Sequence, residues 1–414
     1  MLRHARRSKR LIRIAHGITA VIYKAECALA HDYGAGGVPG WVCAKKVDVD
    51  EQNAPHDVER EAALLSAVHH VNVAPLLAAF VETPDSFTNV WYLLEPLYPL
   101  SLATAVDWPQ WDPVQWLEPP PELDADLLHA LRHDSYASCV LALADQLLDA
   151  LAFLHARGVA HRDVKPGNVL FTRDGNFVLV DFGVAFLDDV PERAAFDPPD
   201  ALLPPADPLG GPARIAEVGS GAYRAPELLF APLRGYDPYK ADMWSLAATL
   251  ATVLGPLDRV ATASEEDEEA EQPRPYDEAL AWERELWPAP EPAPRAPRPP
   301  PPPAFHRRTL FDASTGDIGL AGDMFSLLGL PADDAAWPEG RFFQPPLAQF
   351  PFVRCAPSGS VLDRLPSLAA LQPHGADATL RQFATRWLPR LLQLSASQRP
   401  GAEEVLGGLR SMLH

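Results

Sequence analysis

At 414 residues the chain is long enough for one large two-lobed domain or two ordinary ones. Its formal charge of −20, concentrated partly in the run Glu265 to Glu269, argues against nonspecific binding to nucleic acid. The 4 cysteines, Cys27, Cys43, Cys139 and Cys355, form no CxxC pair and no metal-ligand spacing, which argues against a structural zinc site and fits a reducing compartment.

The N-terminus carries Arg3, Arg6, Arg7, Lys9 and Arg10, and no apolar secretory core follows. This predicts an intracellular chain, cytoplasmic and/or nuclear, with a solvated basic tail over 1–10. Three stretches then have the composition of strands: Leu11 to Ile14, Val21 to Ala25 and Trp41 to Val47. Asp57 to Val68 has helical spacing, with Leu64, Leu65 and Val68 on the face of Glu61. Trp91 to Leu97 reads as a further strand. Leu100 to Asp134 is acidic and rich in Trp and Pro, and reads as an insertion. The most apolar stretch, Cys139 to Leu154, is interrupted by Asp145, Gln146 and Asp149, so a buried or amphipathic helix from near Ser135 to Gly158 is predicted there, and no membrane span.

Two apolar, β-rich runs follow, Val169 to Phe171 and Phe177 to Val180. Arg173-Asp174-Gly175-Asn176 between them is a hairpin signal. Before the hairpin stands His161-Arg162-Asp163-Val164-Lys165-Pro166-Gly167-Asn168, and after it Asp181-Phe182-Gly183. Two carboxylates and an asparagine at a separation fixed by a hairpin can converge on a nucleotide's metal ions and on a hydroxyl, which reads as a phosphotransfer site. The 41 residues between Gly183 and Ala225 contain no Ser, Thr or Tyr before Ser220. A segment without hydroxyls cannot be ordered by phosphorylation. Between Gly255 and His306 lie the acidic run and then Pro288 to Pro303, a composition that cannot build a core.

Taken in order, these motifs resemble the catalytic loop and metal-binding loop of eukaryotic protein kinases. The resemblance implies an α+β bilobal fold, with the N-lobe and hinge over 11–97 and the C-lobe over 98–414, interrupted at 100–134 and 255–306. It implies ATP and Mg2+ as cofactors and a protein substrate. By that resemblance Asp163 accepts or orients the proton of the substrate hydroxyl, Lys165 steadies the γ-phosphate, and Asn168 with Asp181 holds magnesium. Lys165, two residues after Asp163, marks the serine/threonine class. Val42-Cys43-Ala44-Lys45 resembles the family's Val-Ala-x-Lys, so Lys45 would grip the α- and β-phosphates and pair with Glu61. Lys46 is the alternative, because neighbours on a strand face opposite sides. Only Gly17 survives of the usual GxGxxG between the first two strands, which implies a stiffer loop and weaker ATP binding. Ile22, Cys43 and Leu170 would sandwich adenine, Leu97 would donate its N–H to the base and Glu95 would offer its carbonyl. Pro96 lacks a donor, but the resemblance implies that this middle N–H is not used for adenine. Leu65, Leu76, His161 and Phe182 would stack between the lobes, and Ser220 would hydrogen-bond Asp163 and Lys165. Asp242 would hold the catalytic loop, and Glu227 would pair with Arg399.

Val218 to Leu229 resembles the cyclin-dependent kinase group. That match puts Ile215 where the group has its activating threonine. Arg60 and Arg162 match two of the three arginines that clasp the phosphate, and Phe186 replaces the third. Glu59 replaces the apolar residue that docks on cyclin, and burying an unpaired charge costs several kcal/mol, roughly, so ordinary cyclin binding is not expected. The closest resemblance in character is to fungal monomeric kinases that activate cyclin-dependent kinases, which would make those kinases the partners. Arg224 points instead to a proline-directed kinase. The degraded glycine loop points to a third reading, a pseudokinase scaffold.

Overall fold

The computed structural model describes residues 11–17, 19–27, 37–38, 40–83, 89–109, 111–113, 133–188, 215–230, 232–233, 235–259, 305–354 and 356–414. The basic tail, the acidic and proline-rich run, most of 110–132 and the centre of the segment after Gly183 lie outside the described residues.

Alternation of apolar and polar residues builds the N-terminal sheet. β1 (Leu11–His16), β2 (Val21–Glu26), β3 (Trp41–Asp48), β4 (Ala78–Glu82) and β5 (Val90–Pro96) form one antiparallel sheet in the order β1-β2-β3-β5-β4. Its register pairs Ile22 with Lys45, Lys45 with Leu93 and Cys43 with Glu95. Cross-strand partners share a face, so Ile22, Cys43, Lys45, Leu93 and Glu95 all point to one side. Helix α1 (Val58–Ala67) covers that side: Val58 and Ala62 pack with Val47 and Leu93. Removing a side chain such as Leu93, 0% exposed, from water is worth roughly 1.5–3 kcal/mol. Asp57 caps the helix, its carboxylate accepting the Arg60 N–H at 2.9 Å.

The larger lobe is helical. α2 (Leu102–Val106) follows the short strand β6 (Leu100–Ser101), and α3 (Tyr136–His155) is its central helix. α4 (Pro238–Val253), α5 (Gly316–Leu328), α6 (Gly375–Leu391) and α7 (Ala402–Leu413) complete the helical framework, with α4, α6 and α7 packed around α3. α3 is long and apolar enough to cross a membrane, yet its apolar residues, Leu143, Leu147, Leu151 and Leu154 among them, are buried in this core. It ends three residues before Gly158, which takes a left-handed turn (φ 71°). β7 (Val159–Ala160) pairs with β10 (Phe186–Leu187), and β8 (Val169–Phe171) and β9 (Phe177–Leu179) form the expected hairpin.

Two expectations need correction. The insertion predicted from residue 100 starts later: Leu100 pairs with Phe171 in the β6–β8 ladder, and Ser101 Oγ accepts the Thr104 N–H at 3.1 Å to cap α2. Apolar Leu100, Leu102 and Val106 were hidden in an acidic neighbourhood. The interruption from 255 also has an ordered base, where β11 (Leu257–Arg259) pairs with β12 (Phe305–Arg307). Arg307, 1% exposed, ties that base down by donating to the carbonyls of Val106 (3.0 Å), Gly255 (2.8 Å) and Trp111.

Candidate active site

The catalytic loop is held from below. Asp242, fully buried in α4, accepts the backbone N–H of His161 at 2.8 Å and of Arg162 at 2.7 Å. The His161 ring is oriented by the Asp163 N–H on Nδ1 (3.2 Å) and the Val180 carbonyl on Nε2 (2.9 Å). It stands edge-on to Phe182 at 4.7 Å between centroids, so this part of the expected column is formed, and Phe182, Leu65 and Leu76 belong to one hydrophobic core. Arg162 and Asp181 both take φ 66°, which costs roughly 1–3 kcal/mol each for a residue with a side chain. Such strain persists where the surroundings over-determine it, as Asp242 does here.

Two clusters result. In the lower one Lys165 Nζ donates to Asp163 Oδ2 at 2.7 Å and to Ser220 Oγ at 2.6 Å, and Ser220 donates to Asp163 Oδ1 at 2.8 Å. Asn168 Nδ2 donates to the Asp163 carbonyl at 2.8 Å and to Oδ2 at 3.0 Å. In the upper one Lys45 Nζ contacts both oxygens of Glu61 at 2.8 Å and Asp181 Oδ1 at 2.7 Å, and Glu61 Oε1 accepts the Phe182 N–H at 3.1 Å. Lys45 is therefore the cleft lysine, and Lys46 faces the other side of the strand.

Burial alone would lower the Lys45 ammonium's pKa, but Asp181 and Glu61 outweigh it and hold it up. Lys45 in turn holds Asp181 well below the usual carboxylate range, against the cost of burial. Burial raises Glu61, with Lys45 opposing. The site is thus a fixed array of one ammonium between two carboxylates.

These residues fit a magnesium nucleotide. Asp181 stays ionised with its side chain 46% exposed to the cleft. The Asn168 amide turns its NH2 to Asp163, which leaves its oxygen for a cation. Among the described residues no cluster of three or more His, Cys, Asp or Glu groups could hold a metal by itself. That agrees with magnesium held by one or two protein oxygens together with phosphate oxygens and water.

The profile of the protein kinase domain matches residues 39–407. The chain belongs to the protein kinase domain family. It is 45% identical over 109 residues to CBL-interacting protein kinase 4 of Oryza sativa subsp. japonica, a match covering 26% of this chain and 20% of that protein. CBL-interacting protein kinase 12 of the same plant is 32% identical over 199 residues, 48% of this chain and 28% of its own length. Protein kinase gsk31 of Schizosaccharomyces pombe is 29% identical over 223 residues, 53% and 46% of the two chains. The chain therefore spans less than half of each of these relatives. They support the family, and they do not single out the cyclin-dependent kinase group.

The remaining residues named from sequence lie as follows. Ile22 and Cys43 lie on the Lys45 face of the sheet, and Leu170 lies on β8. Gly17 donates its N–H to Ala20 at 2.8 Å to close the β1–β2 turn, and a Cβ there would meet only the Ala20 carbonyl at 3.5 Å. The profile match begins after β1 and β2, where the family's glycines are missing.

At the hinge the sequence reading was incomplete. The Leu97 carbonyl accepts the Val38 N–H at 2.6 Å, so the chain before β3 occupies part of the hinge backbone. Sequence reasoning took only the carbonyl of Glu95, whereas the register turns its carboxyl group into the cleft opposite Cys43. Strand alternation gives this direction only once the register is known: counted from Lys45 through its partner Leu93, the inward positions of β5 are Trp91, Leu93 and Glu95.

Proposed function

We propose that the chain is a serine/threonine protein kinase that transfers the ATP γ-phosphate to a protein hydroxyl. The observation that carries this is the triangle of Asp163, Lys165 and Ser220, closed by hydrogen bonds of 2.6–2.8 Å beside the Lys45–Glu61–Asp181 array. Phosphoryl transfer needs positioning and charge neutralisation more than covalent help. Asp163 would accept or orient the proton of the attacking hydroxyl. Lys165 would hold the transferred phosphate, Lys45 the other two, and Ser220 would set the angle of both catalytic groups. Asn168 and Asp181 would hold magnesium, which neutralises charge on the phosphate oxygens when bound. Ile22, Cys43 and Leu170 would enclose the base. A scaffold that had lost catalysis would not need this complete set.

The segment before Ser220 is anchored without a phosphate. Arg224 donates from Nη2 to the carbonyls of Ala216 (3.1 Å) and Leu228 (3.2 Å), and the Tyr236 hydroxyl donates to the Ile215 carbonyl at 3.3 Å. Arg162 lies 5.9 Å from the Phe186 ring and donates to the Val184 carbonyl at 2.6 Å. Activity would accordingly be independent of phosphorylation in this segment.

For the substrate, one contact favours a serine or threonine followed by proline over the activation loop of a cyclin-dependent kinase. Arg224 Nε donates to the Val218 carbonyl at 3.2 Å, beside Gly219 and Ser220. With that carbonyl turned inward, a substrate N–H arriving next to the target hydroxyl finds no acceptor. Proline has no N–H to leave unsatisfied.

The test is phosphate transfer from Mg-ATP by purified, phosphatase-treated protein without a cyclin, to a Ser-Pro peptide and to an unphosphorylated cyclin-dependent kinase. Transfer by the wild type, lost in Asp163→Asn with thermal unfolding unchanged, is the expected result. Equal transfer by the variant would refute the assignment. A preference for the cyclin-dependent kinase over the peptide would reverse the substrate order.

A further inference from the structure

The polar groups at the back of the base pocket do more than a simple apolar clamp requires. Glu95 is 8% exposed and sits across the strand pair from Cys43, on the face that carries Lys45. Directly opposite residues bring their Cβ atoms to roughly 4.5–5.5 Å, so the carboxyl group borders the same pocket as the thiol. Tyr98, also 8% exposed, packs with Ala74 and Val178, with Leu170 against them. Its hydroxyl is buried and has no hydrogen-bond partner among the described residues. A buried hydroxyl is normally paired, and each exception calls for a reason.

The surrounding charges place these groups together. Burial raises the Tyr98 phenol's pKa, and Glu95 and then Cys43 raise it further. Burial pushes Cys43 up to about 12, with Glu95 adding to it and Lys45 opposing. Burial pushes Glu95 up to about 8, with Glu61 adding to it and Lys45 opposing. At neutral pH Glu95 is therefore largely a neutral carboxylic acid, able both to donate and to accept. At the hinge the Leu97 carbonyl already accepts from Val38, which leaves the Leu97 N–H and the Glu95 carbonyl as the backbone groups for the base.

We propose that the Glu95 carboxyl and the Tyr98 hydroxyl read the edge of the purine base, in addition to the backbone groups of the hinge. The ligand class is a 6-aminopurine nucleotide, whose exocyclic amine donates and whose ring nitrogens accept. This rests on the kinase reading and deepens it by naming what selects the base.

The test compares binding, by calorimetry, of Mg-ATP and of the Mg complex of purine riboside triphosphate, which lacks the 6-amino group. A site built to pair that group rejects the analogue strongly, so the wild type should favour ATP by about tenfold or more. Glu95→Leu and Tyr98→Phe should each bring the ratio to within about twofold, chiefly by weakening ATP, whereas Glu95→Gln, which keeps a neutral donor and acceptor, should retain most of it. Thermal unfolding of each variant separates lost recognition from lost fold, and Tyr98→Phe removes only an unpaired hydroxyl. An unchanged ratio in Glu95→Leu and Tyr98→Phe, with ATP still bound, would overturn the inference and leave the kinase reading standing. A wild type that binds neither nucleotide would overturn both.

Discussion

Glu95 shows how one residue can escape a sequence reading that recovers its neighbours. Its ordinary pKa of 4.5 rises to about 8 in the fold, first through burial. Below 4.5 both folded and unfolded chains carry the proton, and its full contribution to stability is present. As pH rises the unfolded chain ionises first, so stability is lost progressively up to the folded value near 8. Glu95→Gln has no such loss. Between about pH 5 and 8 the variant should gain on the wild type by up to a few kcal/mol, roughly, at ~1.4 kcal/mol per pKa unit. Urea unfolding at both pH values measures it, and parallel pH profiles for the two proteins would count against this account. Lys45, Asp163, Asn168 and Asp181 were legible because each stands in a local motif, whereas Glu61 was placed only by its position between the lysine strand and the next strand pair. The direction of Glu95 was not legible, because it depends on the register of β5 against β3, which no local pattern fixes. Tyr98 and the Val38 contact were hidden for the same reason: both arise from strands brought together over long separations.

At the scale of elements, the end of the segment between the metal-binding loop and Ala225 is held by backbone geometry. The segment's lack of hydroxyls before Ser220 was readable directly, and in the structure Arg224 and Tyr236 hold the carbonyls of Ala216 and Ile215. Gly219 is the pivot. It takes φ +77°, and a Cβ there would come within 3.1 Å of Arg224 Cγ, in the turn that presents the Val218 carbonyl to Arg224 and places Ser220 on Asp163. The left-handed conformation costs about 1–2 kcal/mol for a residue with a Cβ. Gly219→Ala should therefore lower kcat by about tenfold while leaving ATP affinity near the wild-type value, since no base or phosphate contact lies in this turn. Steady-state kinetics with varied ATP and varied peptide separates the two effects. A variant with unchanged kcat would show that the turn does not control the catalytic groups. The helices were more legible than this turn. Ser135 and the apolar run after it place α3, and helical spacing behind Asp57 places α1. The start of the C-lobe was misjudged because Leu100 to Val106 is only a strand pair and a short helix, too brief for a periodic signal beside acidic residues.

The whole molecule is held by long-range polar ties more than its composition suggests. Arg399 grips both oxygens of Glu227 at 2.7 Å with both side chains almost fully buried, joining the end of the substrate segment to the last helices. Breaking such a pair by removing one partner costs about 3–5 kcal/mol, since a charge is then left buried and unpaired. Arg307 plays the same part at the base of the large interruption, where its guanidinium satisfies three carbonyls, those of Val106 and Trp111 after β6 and that of Gly255 after α4. The ladder there ends with Arg259 opposite Phe305. In an antiparallel pair those Cα atoms lie roughly 4.5–5.5 Å apart, a gap that a two- to four-residue turn closes without strain. A short turn can therefore join β11 directly to β12 in place of the 45 positions 260–304. Replacing 260–304 with a short glycine-containing turn should leave the unfolding temperature within about 2 °C of the wild type and keep kcat for a short Ser-Pro peptide. Arg307→Ala in the same background should lower the unfolding temperature markedly, because three buried carbonyls lose their donor. A large drop on deletion alone would mean that the removed stretch supports the lobe. Loss of transfer to a protein substrate with peptide transfer intact would instead place its contribution in substrate docking.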